Sequence, residues 1–193
     1  MDSLAPPARQ ARSARSARSA RLPRRVRRGL LVAHLAVSVS WLGLTLCLLA
    51  LGVTGATSGS AAAAAAAYRS MKVCGDWLLP PLALSTFATG LVLALGTPWG
   101  LARYRWVYLK FWLTLGAAAA SLLVFRGSVN AAAADVAAGQ AVSDPASLVA
   151  PPVVSGSLYL FMTAISVLKP WGPTRRGRRM GGRRVPAPAG EGR

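Results

Sequence analysis

The chain has 193 residues, 53% of them hydrophobic and 15% charged, with 23 Lys and Arg against 5 Asp and Glu and a positive mean hydropathy. A soluble domain of this length carries nearer a quarter charged residues, spread along the chain to keep its surface wet. Here no Asp, Glu, Lys or Arg occurs between Arg28 and Arg69, in 77–102 or in 145–168. A chain of 20.0 kDa has too little interior to bury several all-apolar helices, so an ordinary soluble protein is excluded and these runs read as membrane spans.

Ala, Gly, Pro and Arg supply 89 of the residues, and Arg outnumbers Lys 20 to 3. All four have GC-rich codons, so alanine runs such as 61–67 say little, whereas the placement of charge says much.

In chain order, residues 1–28 form an Arg-rich tail. Arg9, Arg12, Arg15, Arg18, Arg21 and Arg24 recur every third residue, a spacing that spirals round a helix without making a stripe. Low hydrophobicity and self-repulsion predict disorder there. The first span follows at about 29–52, the second at 77–96, the third at 106–125 and the fourth at 153–168. Pro80 and Pro81 stand near the start of the second, and Pro151 and Pro152 mark the start of the fourth. The Ala-rich connections 57–75 and 127–150 can extend the helices or loop; the sequence leaves both open. Residues 170–193 form a second basic tail expected to be disordered. The expected fold is thus all-α, a four-helix transmembrane bundle over 29–169. A cleavable signal peptide is the rival reading of the first span, whose apolar stretch exceeds the usual ~7–15 residues of such a segment.

With four spans, 20 of the 23 basic residues fall on the side that holds both termini and the connection around 97–105. Only Arg69, Lys72 and Arg126 fall on the other. That asymmetry predicts a multi-pass protein of the cytoplasmic membrane with both termini cytoplasmic. Trp99, Tyr104, Trp106, Tyr108, Trp112 and Trp171 gather at the predicted cytoplasmic interface and Trp77 at the outer one, as an aromatic belt requires. The tails can lie on anionic lipid head groups. Nucleic acid is a poor partner, because no aromatic residue interleaves the Arg runs to stack on bases.

The residues available for chemistry are few. His34 is the one histidine, which excludes a bis-His haem site or a two-histidine metal pair within one chain. No carboxylate lies in the predicted membrane interior to relay protons. His34, Ser38, Trp41 and Thr45 stack along one face of the first span at intervals of four, three and four. A polar stripe in lipid prefers the bundle interior, and Gly43 and Gly52 offer close approach to another helix, within the chain or in a homo- or hetero-oligomer. Lys110 and Thr114 in the third span, with Ser85, Thr86 and Thr89 in the second, can join His34 in a polar pocket. The plainer readings are that Lys110 snorkels to the interface and that the hydroxyls bond their own helix. Cys47 and Cys74 both fall toward the outer leaflet, where a disulfide or two buried thiols are the alternatives.

His34 followed by Trp41 and Gly43, the segment Gly96-Thr97-Pro98-Trp99-Gly100-Leu101, and Tyr104-Arg105-Trp106-Val107 with Lys110 carry a resemblance. Over about 29–126 the chain resembles actinobacterial-type four-helix integral membrane proteins of unknown function. These are related in pattern to the CopD copper-resistance membrane domain and, more distantly, to HemJ-type haem-associated proteins. The resemblance implies His34 as a candidate haem or metal ligand, with Lys110 at the third-helix basic position. Three functions follow as expectations: a non-enzymatic accessory or assembly component, a haem- or metal-associated redox protein using His34, and a small oligomeric transporter.

Overall fold

The structure is a computed structural model and describes residues 22–96 and 104–168. Its elements are α1 (Arg24–Thr57), α2 (Ala61–Val73), a π-helical turn (Cys74–Leu78), α3 (Leu79–Gly96), α4 (Arg105–Ala119), a second π-helical turn (Ala120–Phe125), α5 (Arg126–Ala137) and α6 (Ala146–Leu168). No strand occurs among the described residues. Ala61–Gly96 and Arg105–Ala137 are each one continuous rod. With α1 and α6 they make four helices long and apolar enough to cross a membrane. The fold is therefore all-α, a bundle suited to a multi-pass membrane protein.

The four rods form a ring in which α1 packs on α3, α3 on α4, α4 on α6 and α6 on α1, while the backbones of the diagonal pairs stay apart and meet only through side chains. Large apolar side chains such as Val32, Leu35, Leu95, Leu123, Leu160 and Val167 remain exposed around the outside, as a lipid-facing belt requires. At about 1.5 Å per residue the first three rods are some 50 Å long, against a hydrocarbon core of about 30 Å. The Ala-rich segments left open above are thus helical, as α2 and α5, and carry the bundle past the span at the end opposite the N-terminus.

That extended end is the better packed. Leu44 and Leu48 of α1, Tyr68 and Met71 of α2, Leu79 of α3, Val129 and Ala132 of α5, and Leu148 of α6 bury one another there. Two glycines of α1 permit the approach. The ring of Tyr68 lies where a Cβ on Gly55 would be, at 2.5 Å, and a Cβ on Gly52 would sit 2.8 Å from the Leu148 carbonyl oxygen.

Pro80 and Pro81 stand near the start of α3, as the sequence suggested, whereas Pro151 and Pro152 lie inside a helix and not at its start. Pro80 and Pro81 follow the first π turn, in which the Leu79 N–H bonds the Cys74 carbonyl five residues back. The wider turn makes room before the two residues that lack N–H donors. Helix α6 begins at Ala146, not 153, and contains Pro151 and Pro152. Pro152 leaves the Leu148 carbonyl without its i+4 donor, and this is the carbonyl that approaches Gly52. At the other end α1 starts at Arg24, so residues 24–28, assigned above to the tail, are helical. Residues 1–21 and 170–193 of the basic tails, Trp171 among them, lie outside the described residues, together with Trp99.

Three aspartates secure the extended end. Asp144 accepts the Ser147 N–H at the start of α6, and Asp135 accepts both the N–H and the hydroxyl of Ser143. Gly139, at φ 70°, closes α5 in a Schellman motif, with Gln140 N–H bonded to Asp135 O and Gly139 N–H to Val136 O. Asp76, in the first π turn, accepts from Lys72 at 2.6 Å and Arg126 at 2.9 Å, and Lys72 also reaches Asn130 at 2.8 Å. This ties the second rod to the third. Asp76→Asn is expected to cost about 1 kcal/mol, the modest value of partly exposed ion pairs. Unfolding by denaturing detergent checks it, with high salt narrowing the difference from wild type.

Candidate functional site

The polar stripe of α1 turns inward. His34 and Ser38 are half-buried, and Trp41 and Thr45 are buried. Thr45 donates to the Trp41 carbonyl at 2.9 Å, and the Trp41 ring meets Tyr159 of α6 with centroids 5.0 Å apart. Trp41 also packs on Ala83 and Ala118, with Leu82 of α3 alongside, so one large ring fills the middle of the bundle where α3 and α4 each present an alanine.

Toward the N-terminal end from Trp41 nothing fills the ring. Because α1 and α4 do not pack on one another there, a cavity of about 520 Å³ opens between α1, α3 and α4, lined by Arg27, His34, Thr86, Lys110 and Thr114 among mostly apolar neighbours. A smaller cavity of about 320 Å³ lies on the far side, where Trp41, Thr45 and Leu48 contribute the α1 wall.

The His34 ring is fixed by α3. Its Nδ1 lies 2.9 Å from Thr89 Oγ1, which spends its one hydrogen on the Ser85 carbonyl at 2.6 Å. Thr89 is therefore the acceptor and Nδ1 carries the proton, which leaves Nε2 with its lone pair in the neutral ring. This assignment of the tautomer follows from the network. Gly90 makes space for the ring: a Cβ there would come within 3.1 Å of His34 Cε1.

The Lys110 ammonium donates to Ser166 Oγ near the end of α6, and Ser166 in turn donates to the Met162 carbonyl at 2.8 Å. One turn further along, Thr114 reaches the Met162 sulfur at 3.5 Å. Lysine and threonine four apart on α4 thus meet serine and methionine four apart on α6, a polar seam that draws Lys110 inward along the cavity wall. Two buried polar atoms in the lining, Arg27 Nε and Thr86 Oγ1, have no hydrogen-bond partner.

The structure brings together His34, Thr86, Thr89, Lys110 and Thr114 as the spacing suggested. Ser38, Trp41 and Thr45 continue the stripe but do not line this cavity. Arg27, Gly90 and Ser166 were missed, since each acts through the docking of one helix on another. Cys47 and Cys74 are free thiols, the first exposed and the second half-buried. Among the described residues no three His, Cys, Asp or Glu side chains cluster to hold a metal ion. The aromatic cluster recurs at the N-terminal end of α4, in ring pairs Tyr104–Trp106 and Tyr108–Trp112. No family model, no curated protein and no solved structure matches this chain.

Proposed function

We propose that the protein is a non-enzymatic accessory component of the cytoplasmic membrane, with both termini cytoplasmic, that holds a ligand in the cavity between α1, α3 and α4. The observation that carries this reading is the cavity itself: about 520 Å³, within the roughly 300–1,000 Å³ of small-molecule sites, mostly apolar, with a few converging polar groups. The distribution of basic residues, 20 against 3, supports the orientation. Exposed Gly43, with open space where its Cβ would be, supports approach by another helix and hence a role within an assembly. Exposed Arg24, Arg25 and Arg28 at the start of α1 support contact with anionic head groups.

A second reading, a haem or metal cofactor on His34, draws support from the tautomer. Thr89 holds Nδ1–H and leaves Nε2 as the ligating atom, the arrangement of an oriented metal-binding histidine. The resemblance to haem- and copper-associated families points the same way. The absorption spectrum and metal content of the detergent-purified protein, beside His34→Ala, separate the two. The accessory reading expects neither chromophore nor stoichiometric metal in either sample. A Soret band or bound metal that His34→Ala abolishes establishes the cofactor instead. Reporter fusions after residues 60 and 140 are expected outside the cytoplasm, and cytoplasmic reporters at either position overturn the orientation.

A further inference from the structure

The polar groups that the cavity leaves unsatisfied share one character. Arg27 Nε–H and the Thr86 hydroxyl are buried without partners, and both can donate. The Lys110 ammonium has three donors, and Ser166 takes one. Among the described residues no carboxylate lines the cavity, and the ion-paired acid Asp76 lies in the turn before α3, on the other side of Trp41. Two half-buried cations beside apolar walls, with no counter-charge among the described residues, are costly to leave unpaired. The missing partner must be an acceptor and must be negative. The remaining walls, from Leu31, Phe87, Leu91, Trp106 and Phe111, offer a free inorganic anion nothing but desolvation. They suit a hydrocarbon chain.

We propose that this cavity binds one anionic amphiphile, its carboxylate or phosphate head held by Arg27, Lys110 and Thr86 and its chain against the apolar walls. The proposal rests on the cavity's being a ligand site and names the chemistry of what enters. His34, locked by Thr89, stands beside the head group and presents Nε2 as an acceptor, which suits a head that keeps one O–H, such as a monoprotonated phosphate monoester. Gly90 leaves the ring its position, because a Cβ there would stand 3.1 Å from Cε1 and the imidazole would have to shift by a few tenths of an ångström.

The test is native mass spectrometry of the full-length, detergent-purified protein titrated with palmitate, hexadecyl phosphate, hexadecanol and inorganic phosphate. Lys110→Gln, Arg27→Gln and the cavity-filling Ala94→Trp are titrated alongside, with circular dichroism confirming their helical content. The expected result is a one-to-one complex with palmitate, hexadecyl phosphate or both. Each charge variant should weaken it about tenfold or more, the loss of one charge-assisted hydrogen bond. Ala94→Trp should abolish it, and hexadecanol should bind weakly and indifferently to the charge variants. The stronger of the two anionic ligands identifies the head group. Equal binding of hexadecanol and palmitate, unmoved by Lys110→Gln and Arg27→Gln, overturns the anionic assignment while leaving the cavity a ligand site. Inorganic phosphate binding as tightly as hexadecyl phosphate overturns the amphiphile and leaves an anion site. No binding by any of the four overturns the proposal and the ligand-site reading together.

Discussion

Gly52→Leu is expected to lower the stability of the bundle by about 3 kcal/mol, the upper end for overpacking a close contact. The glycine is buried in α1, and a Cβ on it would stand 2.8 Å from the Leu148 carbonyl oxygen and 3.3 Å from its carbon. Both are backbone atoms, so no rotamer change relieves the clash and α6 must retreat from α1. The retreat would also open the cluster around Leu44, Leu48 and Met71. Gly43→Leu is the control, because nothing lies within 4 Å of its added Cβ and the position faces outward. It should change stability by less than about 0.5 kcal/mol, as at an ordinary surface site. Unfolding in mixed micelles, followed by circular dichroism, measures both. Equal effects at the two glycines would mean that α1 and α6 do not approach at Gly52.

Trp41→Ala should cost about 3 kcal/mol, the low end for truncating a buried Trp. The low end applies because lipid competes with the protein interior for apolar surface, so what is lost is packing more than transfer from water. The ring is 1% exposed and packs among Leu82, Ala83, Ala118 and Tyr159. Its removal enlarges the smaller cavity, whose α1 wall it forms with Thr45 and Leu48. Trp77→Ala, at a ring 77% exposed, should cost less than about 1 kcal/mol. The same unfolding measurement distinguishes the pair, and equal losses would place Trp41 outside the core.

Both effects were partly foreshadowed by spacing. The intervals from His34 to Thr45 mark one face of a helix, and a membrane leaves polar side chains no better place than the interior. Spacing along one helix says nothing about what stands across from it. The hydrogen bond from His34 to Thr89 depends on how far α1 slides along α3, and the pairing of Lys110 with Ser166 on how far α4 slides along α6. Lys110 near a helix end looks the same in sequence whether it snorkels or turns inward, because its flexible stem reaches either way. Pro151 and Pro152 misled for a related reason. A proline inside a helix costs about 3 kcal/mol locally, which argues for a boundary. Packing of α6 on α1 offsets that cost and is not visible from the prolines themselves.

The sequence by itself determined the class of fold, the number of spans and the inward face of the first one. Each depends on the free energy of moving a side chain between water and an apolar phase, a property that each residue carries wherever its neighbours lie. Only the tertiary structure decided that the alanine-rich segments continue as α2 and α5, since alanine suits a helix without demanding burial. It alone decided that the bundle is tight at Gly52 and hollow at Lys110. Those features follow from the register in which helices meet, and register is settled by where a glycine on one helix meets a large side chain or the backbone of another.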